Sequence, residues 1–237
     1  MRRYAVLVVG ILVALGCARL GLWQLDRLSQ RRAQNRLYQT RLELPVLALP
    51  SAIDSLPLDS LGWRRVVAHG VYDFEREVVV VGRSVQGTPA VYVVTPLILA
   101  GGRGVLVERG WVYSPDARAV ELSALRESDT AEVEGVLLQP ALSRRFEIAN
   151  SSWPVFVPSD DPAVLAPLYP YPLLEVVLRR TGPAGGSAGE LRPISLPELS
   201  EGPHLSYAVQ WFSFAVIALV GSAILYRRTS PRRGSDA

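Results

Sequence analysis

The chain has 237 residues, 49% hydrophobic and 20% charged but only 8% aromatic. Its apolar surplus is therefore aliphatic, which excludes intrinsic disorder and collagen-like architecture. One cysteine, Cys17, and two histidines, His69 and His204, exclude an internal disulfide, a four-ligand zinc site and a CxxC redox centre. All 25 basic residues are arginine, which removes Schiff-base catalysis and a P-loop lysine. The net charge of +3 gathers beside the apolar ends, at Arg27, Arg31, Arg32, Arg36, Arg227, Arg228, Arg232 and Arg233. That placement suits lipid headgroups and topology signals, not a nucleic-acid groove.

In chain order, residues 4–22 form an apolar run in which Arg19 is the only charge. At about 1.5 Å rise per residue it matches the hydrocarbon core of a bilayer, so a first transmembrane helix is expected there. A rival reading is a secretory signal ending at Cys17 as a lipidation site. Residues 21–42 contain no proline and no further internal glycine, so the helix is expected to continue to about residue 42, before Pro45 and Pro50. A β-rich domain over residues 45–200 follows. Its short β-branched runs predict strands at Arg65–Tyr72, Glu77–Val81, Ala90–Leu99, Gly104–Val112, Ala131–Leu138 and Leu173–Arg180, with turns at Gly87-Thr88-Pro89 and Gly101-Gly102. Between them, Pro115 and Asp116 can open a helix through Ala124, and Pro154–Pro172 reads as irregular. Residues 205–226 form a second transmembrane helix without a charge, with aromatics crowded into its first half, and residues 227–237 form a tail.

The fold class is thus a membrane protein with two transmembrane helices flanking an α+β, mainly antiparallel β outer domain. Arg227 and Arg228 place both termini in the cytoplasm and the central domain outside, whereas the charges around the first span point the other way. The absence of a transit peptide favours a bacterial plasma (inner) membrane.

Chemistry-bearing motifs are few. Gly185-Gly-Ser-Ala-Gly189 has the letters of a nucleophile elbow but sits in a glycine-rich connector. Asp160-Asp161 precedes Ala163, where a helix cap is the ordinary explanation. His69 lies in an alternating strand run. On a helical wheel, His204, Tyr207, Ala208, Trp211, Phe214, Ala215 and Ala218 share one face. This is either an interfacial histidine above an aromatic belt, or an iron ligand above a flat macrocycle lying on Tyr207 and Trp211 over alanines that make room. Trp23, Arg27 and Arg31 follow on one face of the first helix, where the guanidinium groups pair with lipid phosphates or with carboxylates such as haem propionates.

Three motifs carry a family resemblance: Gly21-Leu-Trp-Gln-Leu-Asp-Arg27, Arg109-Gly-Trp-Val112 with Val94-Thr-Pro-Leu97 before it, and His204-Leu-Ser-Tyr-Ala-Val-Gln-Trp211-Phe. The chain resembles the surfeit locus protein one family, membrane-bound assembly factors of cytochrome c oxidase. The resemblance implies a non-enzymatic role: holding haem a near its insertion point in the oxidase catalytic subunit, with His204 as a haem-iron ligand and Tyr207, Trp211, Trp23 and Arg27 around the cofactor. Partners so implied are the catalytic subunit, membrane lipid and the haem a synthesis machinery, with no nucleic acid. Arg31 stands where the family often has lysine, and residues 141–203 resemble it loosely. Two other classes remain open: a haem-free scaffold in which Arg109-Gly-Trp111 stabilises the fold, and an envelope-anchored binding lipoprotein.

Overall fold

The structure is a computed structural model that describes residues 2–116, 120–139, 148, 152–182 and 191–228. In chain order its elements are α1 (Arg2–Glu43), β1 (Leu47–Leu49), α2 (Ser51–Ser55), α3 (Leu58–Leu61), β2 (Arg65–Tyr72), β3 (Val78–Val85), β4 (Thr88–Leu99), β5 (Gly104–Tyr113), β6 (Thr130–Leu138), β7 (Val155–Val157), α4 (Pro162–Leu165), β8 (Leu173–Arg180) and α5 (His204–Arg228). The chain divides into two units, Met1–Leu37 with Glu198–Ala237, and Tyr38–Pro197.

The first unit is an antiparallel pair of helices, both long and apolar enough to cross a membrane. Tyr4 meets Tyr226 with ring centroids 5.9 Å apart, and Gly10 and Gly21 lie against Ser222 and Phe212. Buried positions of α1 are Gly10, Ala14, Gly21, Gln24, Leu28 and Asn35, and those of α5 are Ala208, Ala215 and Ser222. These spacings of three, four and seven are the seam of a left-handed two-helix packing. Small residues let the helices approach closely: a Cβ on Gly10 would stand 2.3 Å from Ser222 Cβ. Away from the seam, Val8, Val9, Leu12, Leu15, Val216 and Ile217 are largely exposed.

The second unit is built on one eight-stranded sheet. It is mainly antiparallel, as expected, but mixed: among the described strands β1 runs parallel to β2, β3 to β7 and β5 to β8, and the remaining pairings are antiparallel. Alternation along a strand reports which face is buried and carries no information on neighbour direction, so these parallel pairings left no trace in the strand patterns. The pairings β2–β6–β8–β5–β4 return to β2 through Gly70–Tyr72 against Leu97–Leu99, closing a five-stranded ring. Closure requires glycine at 70, where a Cβ would stand 2.4 Å from Ile98 O. Inside the ring, alternate residues build the core, among them Val66 and Ala68 from β2, Leu97 from β4, Val105 and Val107 from β5, and Val176 and Leu178 from β8. A second core lies outside it, where β3 and β7 pack with α4 through Val78, Val80, Val155, Val157 and Leu165. Residues 154–172 are therefore ordered by β7 and α4, although their prolines read as irregular. Between Pro115 and Ala124 the described residues show one short 3-10 turn, Leu122–Leu125, in place of the expected helix.

Candidate functional site

The N-terminal end of α5 gathers most of the chemistry-bearing residues singled out in the sequence. His204 is the first residue of α5 and is half-buried. Its Nδ1 lies 2.8 Å from Oε1 of Gln24 on α1, and Gln24 is only 9% exposed. Tyr207 is nearly half exposed, and Trp211 packs edge-on against Phe214 with centroids 5.9 Å apart. On α1, the Arg27 guanidinium lies 5.6 Å from the Trp23 ring centroid, and Arg27 Nη1 donates to Gln30 Oε1 at 3.1 Å. In an antiparallel pair, like flanks of the two seams run side by side. Arg27 and Leu20 flank the α1 seam on the side where Tyr207 and Phe214 flank that of α5, with Trp23 next to them. The helical geometry therefore sets Trp23, Arg27, Tyr207, Trp211 and His204 along one edge of the pair.

Two sequence readings change here. Ala208 and Ala215 face α1 and are buried against it, so they make room for a helix and not for a macrocycle. Arg32 is engaged within the protein, its Nε and Nη2 donating to Glu201 at 2.8 and 2.9 Å. Asn35 Nδ2 donates to Leu199 O at 2.9 Å, so the segment before α5 lies along α1.

His69 is an exposed strand residue with Nδ1 3.3 Å from Glu132. Asp161 caps α4, accepting from Ala163 N at 3.0 Å. The Gly185–Gly189 motif lies outside the described residues. Among the described residues, no three histidine, cysteine or acidic side chains converge as a metal site.

A second polar cluster sits in the β unit, at one end of the ring. Arg109 follows Val105 and Val107 on the inward side of β5, and its side chain is wholly buried. Its Nη1 donates to Glu77 Oε1 at 3.0 Å, its Nε and Nη2 to Glu127 Oε1 at 3.1 and 2.8 Å, and its Nη2 also to Leu125 O. Arg180, inward on β8, donates to both Glu127 oxygens at 2.7 and 2.9 Å, and Thr95 Oγ1 donates to Glu77 Oε1 at 2.6 Å. The Phe74 and Tyr72 ring centroids lie 5.0 and 5.4 Å from the Arg109 guanidinium carbon.

Burial raises the pKa of Glu77 above the ordinary carboxylate value, against the pull of Thr95 and Arg109. Burial pushes Glu127 the same way, but hydrogen bonds from Arg180 and Arg109 more than reverse it and its pKa falls. Burial takes the Tyr72 phenol up to about 12. Its hydroxyl forms no hydrogen bond of good geometry, although Arg180 is close enough to favour the ionised form. Beside this cluster Tyr72, Glu127 and Arg180 border an open cavity of about 460 Å³. Arg109 was legible from its motif and its parity on β5, whereas Glu77 and Glu127 sit on connecting segments with no periodicity to mark them. On the outer wall, Asp160, in the connection between β7 and α4, lies beside Glu108, which Arg179 holds through Nε at 2.5 Å and Nη2 at 2.8 Å. Burial and the Glu108 charge push Asp160 up to about 7.

Residues 11–216 match the SURF1 family, taking in most of α1, the strands and the first half of α5. The chain belongs to the SURF1 family. Among its relatives is an uncharacterised SURF1-like protein of Mycobacterium tuberculosis, 29% identical, the alignment covering 84% of this chain and 73% of the relative. A SURF1-like protein of Rickettsia felis is 26% identical over 88% of this chain and 91% of its own length. The cytochrome oxidase assembly protein SHY1 of Saccharomyces cerevisiae is 26% identical over 51% of this chain and 32% of its own length.

Proposed function

We propose that this SURF1 family protein acts in cytochrome oxidase assembly as a haem a carrier in a bacterial plasma membrane. It has no catalytic step: it holds the cofactor at the membrane surface and passes it to the oxidase catalytic subunit. Both termini lie in the cytoplasm and the β unit outside, following the arginines that end α5. The observation that carries the reading is the edge formed by His204, Tyr207, Trp211, Trp23 and Arg27 where α5 begins.

The residues fit the cargo. Haem carries an iron that would take a nitrogen ligand, and His204 is the residue on this edge that would supply it. Tyr207 and Trp211 offer flat apolar surface to the macrocycle, and Arg27, braced on Trp23, would meet a propionate carboxylate. A single ligand and an open edge suit release, because few contacts must be broken when the cargo moves on. One relative, SHY1 of Saccharomyces cerevisiae, is named a cytochrome oxidase assembly protein, which supports the reading.

The test is an absorption spectrum of protein purified in detergent from cells that make haem a, comparing wild type with His204→Ala. Soret and α bands that collapse in the variant are expected. Bands unchanged in the variant remove His204 from the iron, and their absence from both proteins favours a haem-free scaffold.

A further inference from the structure

We propose that Gln24 is a positioning residue for His204, fixing the imidazole as the tautomer with its hydrogen on Nδ1 so that the lone pair of Nε2 is the one offered to iron. The proposal rests on the haem reading above and adds a residue and a tautomer to it.

Gln24 occupies a seam position of α1, between buried Gly21 and Leu28. A polar side chain in such a seam must find a partner, and its Oε1 lies 2.8 Å from His204 Nδ1. An amide oxygen only accepts, so Nδ1 carries the hydrogen and Nε2 carries the lone pair. Free histidine prefers the opposite tautomer, which has no lone pair on Nε2. Residue 202, beside this edge of the ring, is a glycine at φ +70°, and a Cβ there would stand in ordinary van der Waals contact with Nε2 at 3.5 Å. Metal-binding histidines are commonly held in this way, the second nitrogen donating to a neighbouring oxygen that fixes ring orientation and raises basicity. Here that oxygen comes from the opposite helix, which couples the seam of the pair to the orientation of the ligand.

The bond also has a purely structural reading, as a polar contact that sets helix register, so the test needs a readout that register alone would not move. Full-length protein labelled with ¹⁵N at its two histidines, in detergent and alkaline buffer, reports the tautomer directly, and His204→Ala assigns the signals. Wild type is expected to show a protonated Nδ1 and a bare Nε2. Gln24→Leu is expected to lose that pattern, and its affinity for added haem to fall about tenfold to a hundredfold. Gln24→Glu keeps the acceptor with more charge; it should retain the pattern and the haem and lower the reduction potential of the bound iron.

A hydrogen on Nε2 in the wild type, or a Gln24→Leu spectrum identical to wild type, overturns the role of Gln24 even where haem binds. The expected tautomer with no haem uptake by any form overturns the haem reading instead, and the role toward iron with it.

Discussion

Replacing Arg109 with methionine isolates the buried cluster, because it removes the guanidinium while keeping a long side chain in the ring. Glu127 would keep both bonds from Arg180, whereas Glu77 would keep only the Thr95 hydroxyl. Arg126 acts on Glu77 only through its charge, and a buried carboxylate that has lost its hydrogen-bonded countercharge takes up a proton, which limits the damage. Protonating at pH 7 a group whose ordinary pKa is 4.5 costs about 3 kcal/mol at about 1.4 kcal/mol per unit. That sits at the lower edge of the ~3–5 kcal/mol for breaking a buried pair. For a unit of this size it corresponds to a fall in Tm of about 6–12 °C. At pH 5 the same protonation costs less than about 1 kcal/mol, so the deficit should shrink sharply there. Glu77→Gln combined with Arg109→Met should recover most of the loss at pH 7. Thermal unfolding of the purified full-length chain, followed by circular dichroism at both pH values, measures this. A deficit of the same size at pH 5 and pH 7, or one within about 2 °C of zero, would refute the assignment of Arg109 to charge balance around Glu77.

Three further outcomes are expected. Asp160 is held above its ordinary pKa of 3.8, at about 7, so the folded chain favours its protonated form; its contribution is fully present below pH 3.8 and is lost as pH rises through 7. Asp160→Asn should therefore gain Tm on the wild type from pH 4 to pH 8 and level off beyond it; a constant difference across that range contradicts the burial argument. Gly10→Val inserts a Cβ where Ser222 already stands, 2.3 Å away, and should force the helix pair apart at that level. Thermal loss of helical circular dichroism at a lower temperature checks this, and wild-type behaviour would argue against the close approach. Arg32→Ala removes an ion pair whose partners are each about half exposed; its Tm should match wild type, since solvated pairs add little.

The strands were largely legible because half-buried and fully buried β runs announce themselves. The six runs read from the sequence are β2, β3, β4, β5, β6 and β8, with β3 extending to Val85. What escaped was short or paired over long distances. β1 and β7 have three residues each and pair in parallel, and β7 follows Pro154 in a stretch whose composition suggests loops. Ring closure depends on the second half of β2 meeting β4, a register no local pattern encodes.

The helix edge was partly legible for the opposite reason. Periodicity placed His204, Tyr207 and Trp211 on one face, but the width of that face hid a division. Its small residues, Ala208 and Ala215, serve the seam, while Tyr207 stays exposed. Gln24 lies inside the Gly21–Arg27 motif, but its contact with His204 forms only where α5 packs on α1.

Delivery of haem a to the oxidase through His204 can be measured in membranes of a strain deleted for this gene and complemented with either wild type or His204→Ala. The measurement is the reduced-minus-oxidised haem a signal per oxidase catalytic subunit. A full signal is expected with the wild type and a deficient one with the variant at equal protein level. A variant that restores haem a as fully as the wild type would contradict it.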